Sequence, residues 1–431
     1  MAKVSIIMPS LNVAEYIEES IESARRQTLE DIEIICVDAG SSDGTWRIIH
    51  KAAKSDSRIV AIQSPIKSYG YQVNVGIGKS TGQYIAILET DDFIVPKMYE
   101  LLLEAADRDN LDYVKCDYST YVTESEGRKF IERKVSDNSV FYDKPFLPSD
   151  YPQTVIDDWY LWNGIYNADF IKENNIRFSE TPGAAFQDVG FLHKVAVNAH
   201  RGKYIKESLY RYCVDREGAS SNSDKILRFI RKEYGLILDG MSECANHSER
   251  ILLYRRMARS FVRACMDSSN DLLIDPQIND ICKWFHRQLH DAERWGYICE
   301  EDMPVSLREG YRHIMNPVNG FIAYRKVKES ELKEFLGENN PIIIFGCGNY
   351  GRDALKRLNS NGYVVTGFMD NNKSLWGGTI DGFPVFSTDN IEGFDRNTRY
   401  IVANEKYALD IIAQLKKIRN DALTYEFVPE K

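Results

Sequence analysis

The chain has 431 residues, 43% of them hydrophobic and 27% charged, and its net charge is −10. That length calls for two or three domains, and the acidic balance excludes a general nucleic-acid binder, whose phosphate contacts need a basic surface. No apolar run approaches the roughly 18 residues of a spanning helix, and "MAKVSIIMPSLN" lacks the make-up of a signal peptide, so a cytoplasmic chain without a membrane span is expected.

The first part alternates strand and helix. "VSIIM" reads as a buried strand, and Asn12 then reads as a helix N-cap, with Glu15 completing a capping box. "IEIICV" is a second buried strand, ended by the turn formers of "DAGSSDGT", and the helix "WRIIHKAAK" follows. "IVAIQ" is a third strand, "YGYQVNVGIGKSTG" a short helix closed by Gly82, and "YIAIL" a fourth strand. "MYELLLEAADR" is a helix and "YVKCD" a fifth strand. Buried strands joined by helical crossovers imply a parallel α/β sheet, with ligands beyond the carboxyl ends of its strands.

From about Lys225 the apolar period becomes helical: Ile226, Leu227, Ile230, Tyr234, Ile237 and Leu238 share one face. The pattern recurs in Tyr254, Met257, Phe261 and Cys265, and again in Ile278, Ile281, Cys282, Phe285 and Leu289. "PIIIFGCGNYGRDALKRL" then reads as strand, glycine loop and helix, followed by the strands "YVVTGFMD" and "RYIVAN". The expected domains are residues 1–224, a helical segment 225–335 and a small Rossmann-like α/β domain 336–431. The eight cysteines include no CxxC pair and read as buried thiols.

The fourth strand runs into "ETDD". Hard carboxylate oxygens at a strand end suit Mg²⁺ or Mn²⁺, which takes one or two carboxylates and completes its shell with water and phosphate. A solvated acidic turn is the alternative reading. Asp38, ending the second strand, lies on the same edge and could accept hydrogen bonds from a ribose or base.

"VSIIMPSLNVAEYIEESIESARRQTLEDIEIICVDAGSSDGT" together with "NVGIGKSTGQYIAILETDDFIVP" resembles family 2 glycosyltransferases of the GT-A fold, over roughly residues 1 to 222. The resemblance implies a uracil-contacting role for Asp38, a nucleotide pocket lined by Pro9, Ser10 and Asn12, and a metal motif in Glu89 and Asp91, with Asp91 the metal ligand. Glu89 is one methylene longer than the usual Asp, and Ala39 replaces a common second Asp. Where the family has an acidic pair that supplies the catalytic base, this chain has Gln187-Asp188, so Asp188 inherits the role alone. Without the resemblance, Asp188 reads as a helix N-terminal acid favoured by the dipole. In "YRYCVDREGASSNSD" the counterpart segment closes over the donor, so Arg211 and Arg216 are candidates for holding the diphosphate, with a surface ion pair as the alternative for each. Trp159, Trp162 and Tyr166 are candidates for an acceptor platform or for core. The implied enzyme is an inverting, metal-dependent glycosyltransferase passing a sugar from a nucleotide-sugar, UDP-linked, to a hydroxyl of a glycan or lipid-linked acceptor in surface polysaccharide synthesis. Contact with the inner face of a membrane and oligomerisation are left open.

The C-terminal "GCGNYG" places Gly346, Gly348 and Gly351 between strand and helix, and Asp370 ends the next strand, the context of a dinucleotide fingerprint. Taken alone it suggests NAD and an oxidoreductase or epimerase. The unit is only one mononucleotide-binding half, however, and the helical segment offers no dehydrogenase-like catalytic group. It resembles small modules fused to bacterial surface-sugar enzymes, as a scaffold or a nucleotide-sugar holder. A third reading is a non-catalytic nucleotide-sugar-binding scaffold, prompted by Ala39 and Gln187. His286 and His290 form an HxxxH that reads as a solvated helix shoulder rather than a metal site.

Overall fold

The computed structural model describes residues 2–427 except 125–126, 137, 153–157, 185, 215–224, 242–244, 316–317 and 405–406. The chain divides into two compact units, Met1–Arg256 and Met257–Lys431.

The first unit is built on β1 (Val4–Ser10), β2 (Ile32–Asp38), β3 (Ile59–Gln63), β4 (Tyr84–Ile87), β5 (Phe93–Ile94), β6 (Tyr113–Glu124), β7 (Gly127–Arg133), β8 (Gly164–Asn167) and β9 (Gly202–Cys213). The sheet runs β3-β2-β1-β4-β8-β6-β9-β5, with β7 added to β6. β1, β2, β3 and β4 pair in parallel, connected by helices α1 (Ile17–Arg25), α2 (Thr45–Ser55) and α3 (Tyr69–Lys79). β1 is buried along its whole length, as a strand covered on both faces must be. α4 (Met98–Asp109) leads into the second half, where β8 pairs antiparallel with β4 and β6 while β9 runs parallel to β6. Ile6, Ile34, Ala86 and Val114 from the strands share one core with Ile17, Ile21 and Leu102 from the helices.

Register aligns the functional edge. Ser10 lies beside Asp38 and Ile7 beside Ile87, so β1, β2 and β4 all finish on one side of the sheet. The expected capping box at Asn12 does not form. α1 begins at Ile17 with Tyr16 as its cap, and Asn12 takes a left-handed conformation, φ 53°. α3 ends at Lys79, short of Gly82.

From Ile226 to Leu336 the described elements are helical, and the apolar stripes read from the sequence are buried at Leu227, Ile230, Tyr234, Phe261, Cys282, Phe285 and Leu289. The second unit then carries a sheet of β10 (Ile342–Phe345), β11 (Val365–Asp370), β12 (Thr379–Ile380), β13 (Phe383–Ser387), β14 (Arg399–Val402) and β15 (Leu423–Glu426), in the order β12-β13-β11-β10-β14-β15. β12 is antiparallel and the rest are parallel, which is the winding of a doubly wound sheet. Along β10, Ile342 and Ile344 enter one apolar cluster and Ile343 and Phe345 another, because successive side chains face opposite sides.

Cys36, Cys116, Cys213, Cys265, Cys282 and Cys347 are buried thiols and Cys299 is exposed, while Cys244 lies outside the described residues. Among the described residues, no helix is long and apolar enough to cross a membrane.

α3 tests the packing. A Cβ on Gly70 would run into the backbone carbonyl of Ser179, whereas one on Gly78 would meet nothing. Gly70→Ala should cost about 1–3 kcal/mol in denaturant unfolding. Gly78→Ala should be neutral or add about 0.5–1 kcal/mol, since it only removes unfolded-chain freedom. Equal effects at the two positions would contradict this packing.

Candidate active site

The ends of β1 and β2 are stitched together by their own loops. The Asp38 carboxylate accepts from the backbone N–H groups of Gly40 and Ser41, each at 3.0 Å, and from the Ser41 hydroxyl. Asn12 completes the stitch, its N–H donating to Ser41 Oγ at 2.8 Å and its Oδ1 accepting from the Ser42 N–H at 2.9 Å. Beneath them, buried Gln72 donates through Nε2 to the carbonyls of Ser10 (2.8 Å) and Val37 (2.6 Å). The Pro9 carbonyl accepts from Thr90 Oγ1 at 3.1 Å, which ties this edge to the acidic turn. Asp38 is 0% exposed. Its carboxylate therefore builds the turn, with no exposed surface of its own in this conformation. Asn12, Gly40 and Ser42 form the exposed rim instead.

The turn after β4 separates its three acids. Asp92 is buried and accepts from the Tyr210 hydroxyl and the Cys213 N–H, both at 2.8 Å. Burial pushes its carboxyl well above the ordinary range, and the Asp91 charge pushes the same way. The Tyr210 oxygen also accepts from the Glu89 N–H at 3.2 Å, so one phenol holds both ends of the turn. Glu89 and Asp91 keep partly exposed side chains. Glu89 Oε1 accepts from the Tyr69 hydroxyl at 2.6 Å.

Asp188 reaches this edge by a different route. It lies in the first turn of the helix Gln187–Asn198, whose preceding residue, Phe186, is left-handed at φ 63°. The loop before that helix is pinned to the start of α3: the Tyr69 N–H donates to the Gly183 carbonyl, and the Gly183 N–H to the Lys67 carbonyl, both at 2.9 Å. Gln187 faces inward, donating to the carbonyls of Thr181 and Gly183 and to Thr181 Oγ1. Burial raises the Asp188 carboxyl from 3.8 to about 6, opposed by the Val189 N–H, and the nearby Glu233 charge adds to the rise. Glu233 is itself buried, held by the hydroxyls of Ser179 and Thr181 at 2.7 and 3.1 Å. The Tyr69 phenol is pushed well up by burial, then by the Glu89 charge and by Asp188, so both acids act on one hydroxyl.

Other residues singled out in the sequence fall elsewhere. Trp162 is 6% exposed and stacks on Tyr210 (4.1 Å, 22°) and Tyr212 (5.1 Å, 17°), so it is core beneath the acidic turn rather than an open platform. Tyr166 is also buried. Arg211 sits between Tyr210 and Tyr212 on β9, so strand alternation turns it to the opposite face. There it donates to the Ser208 carbonyl at 2.9 Å and lies 5.7 Å from the Phe130 ring. It is not aimed with Tyr210 at the acidic turn. Arg216 lies outside the described residues. In the second unit, Gly346 is left-handed at φ 111°, and Asp370 accepts from the N–H groups of Cys347 and Asn372, both at 2.8 Å. Gly351 must be glycine because a Cβ there would strike the Gly346 carbonyl, and Gly348 is the cap before the helix Asn349–Ser360. His290 is committed to the Met315 carbonyl at 2.9 Å and to Glu293 at 3.3 Å, and among the described residues no three His, Cys, Asp or Glu converge as a metal cluster.

Residues 5–164 match the family described as glycosyl transferase family 2. That match runs from β1 to the start of β8, within the first unit. Residues 338–422 match the family described as C2185-like, N-terminal. The glycosyltransferase EpsJ of Bacillus subtilis is 34% identical over 211 residues, which is 48% of this chain and 60% of that protein. YibD of Escherichia coli, also described as a glycosyltransferase, is 26% identical over 261 residues, 58% of this chain and 74% of that one. The crystal structure of S. aureus TarS 1–349 in complex with UDP-GlcNAc superposes with a TM-score of 0.56 at 18% identity, over 75% of this chain and 92% of that one. The likeness to TarS is one of fold, a curled α/β sheet of the GT-A kind.

Tyr69, Gln72, Tyr210 and Glu233 were not singled out from the sequence. Ser68 before an apolar helix was the one local signal near them, and it does cap α3.

The Asp188 shift has a testable sign. Its native value, about 6, exceeds its ordinary 3.8, so between those values the native state binds more protons than the unfolded chain. Stability is therefore lost as pH rises through that window. Asp188→Asn should raise the melting temperature at pH 8, and the gain should shrink toward zero near pH 4. A pH-independent difference would contradict the burial of this carboxyl.

Proposed function

We propose that the chain is an inverting glycosyltransferase that moves a sugar from a UDP-sugar to a hydroxyl of a glycan or lipid-linked acceptor in bacterial surface polysaccharide synthesis. The observation that carries this reading is that Tyr69, at the carboxyl edge of the sheet, donates its hydroxyl to Glu89 and its N–H to Gly183 in the loop leading to the helix of Asp188, so that two acids remote in sequence are tied to one residue. The UDP-GlcNAc held by TarS supports the choice of nucleotide.

Asp188 is the general base. An acceptor hydroxyl has a high pKa and needs its proton taken as its oxygen bonds to the anomeric carbon. The bond from that carbon to the diphosphate breaks on the opposite face, its electron pair leaves with UDP, and the configuration inverts. A carboxylate near pH 6 is ionised at neutral pH yet basic enough to accept that proton. Asn12 and the Ser41–Ser42 turn form the rim of the nucleotide pocket, over a floor that Pro9, Ser10 and Asp38 fix.

Glu89 and Asp91 fit a divalent cation. They offer oxygen ligands within one turn while Asp92 is withdrawn, a set small enough to leave coordination positions for phosphate. Mn²⁺ or Mg²⁺ bound there would neutralise charge on the departing diphosphate.

The catalytic part is assigned to residues 1–224, with 225–335 a helical segment and 336–431 a small sheet domain. The C-terminal glycine loop is read as scaffold, because Asp370 is taken up by the Cys347 N–H of that loop and by the Asn372 N–H just beyond its own strand. The site of action is the cytoplasm, at the inner membrane face where the acceptor is lipid-linked.

Asp188→Asn should lower kcat by about 10²–10⁴ while leaving UDP affinity nearly unchanged. In calorimetry, Asp91→Ala should lose the Mn²⁺-dependent part of donor binding. Near-normal turnover in Asp188→Asn would sink the base assignment.

A further inference from the structure

Tyr69 stands where three constraints cross. Its hydroxyl donates to Glu89 at 2.6 Å. Its N–H donates to Gly183 in the loop that leads to Asp188, and Ser68 bridges to the same glycine. Its ring packs edge-on against Phe178, centroids 5.9 Å apart, and Phe178 stacks at 4.4 Å on Phe191. Phe191 lies in the helix that carries Asp188 and is buried. Beside it, the missing side chain of Gly70 lets α3 press against Ser179, whose hydroxyl donates to Glu233. The hydroxyl of this residue therefore touches the cation motif, while its backbone and ring connect to the base's helix through Gly183 and Phe178.

We infer that Tyr69 is a positioning residue that holds the Glu89 carboxylate in register with Asp188, so that the cation–diphosphate complex and the base meet in one geometry. This rests on the reading of the edge as a donor site. Two carboxylates serve different roles there, one toward a cation and one toward a proton. A phenol that donates to Glu89 commits one of its oxygens and fixes its rotamer. Glutamate has an extra methylene compared with aspartate and more conformers to lose, so this chain needs a clamp where a shorter acid would not. A hydrogen bond to a charged group also counts for more than one between neutral groups.

The test compares wild type, Tyr69→Phe, Glu89→Gln and the double variant in the full chain. UDP-sugar hydrolysis is followed against Mn²⁺ concentration, and UDP binding by calorimetry with and without Mn²⁺. Phenylalanine keeps the ring on Phe178, so the melting temperature should hold. Tyr69→Phe should raise the half-saturating Mn²⁺ concentration roughly tenfold, with a smaller change in kcat at saturating metal. The double variant should be no worse than Glu89→Gln alone, because both substitutions break one interaction. Unchanged Mn²⁺ dependence in Tyr69→Phe, or effects that multiply in the double variant, would overturn the inference while wild-type activity leaves the donor site standing. A wild-type chain that neither hydrolyses a UDP-sugar nor binds UDP with Mn²⁺ would overturn the donor-site reading and this inference with it.

Discussion

The buried carboxylate of Asp92, gripped by the Tyr210 hydroxyl and the Cys213 N–H, is the contact on which the site depends. It fastens the turn after a parallel strand to β9, a strand from the other half of the sheet. It acts beside the pairing of β5 with β9, Phe93 against Arg211 and Ile94 against Tyr210, which follows directly after the acids. Trp162 backs the grip, stacking on Tyr210 and Tyr212 and keeping water from the pair. A hydrogen bond in such surroundings is stronger than in water, and leaving the buried acid unsatisfied would cost about 1–3 kcal/mol or more.

The same contact sorts the charges. Three acids in four residues repel one another, and desolvating one of them lets the fold lower that repulsion. Asp92 is the acid withdrawn, through burial. Glu89 and Asp91 are left at the accessible edge, and Asp188 approaches from a helix anchored independently through Gly183 and α3. Two carboxyl environments result: a pair within one turn suited to a cation, and Asp188 at a helix start, with its carboxyl raised toward the range suited to moving a proton. Environments that differ in this way are how one cleft assigns distinct roles to chemically similar groups.

Much of the parallel half was legible because strands covered on both faces are written as apolar runs such as "VSIIM" and "YIAIL". Their ends could be aligned from the chain alone, which brought Asp38 and the acidic turn to one edge. The other half was not legible. "KYIKESLYRYC" mixes charged and aromatic residues, and its register against β5 and β6 decides that Tyr210 faces Asp92 while Arg211 faces Ser208. Pattern alone could not separate those neighbours. Trp162 looked like a sugar platform because an aromatic residue's exposure is not written in its spacing. Asp38 was placed correctly on its strand end, yet the Gly40–Ser41 turn folds back over its carboxylate, a local geometry that motif matching does not convey. Tyr69, Gln72 and Glu233 act through partners far away in the chain, so no window of sequence contained both members of any pair.

The most direct test of the account is a crystal structure of the full chain soaked with UDP and Mn²⁺, with the metal located by its anomalous signal. The account requires the metal beside Asp91, the diphosphate on it, and the uridine against the Asn12–Ser42 rim with Asp188 facing the phosphate side. A metal and nucleotide bound elsewhere, with Asp91 turned to solvent and that edge empty, would contradict it.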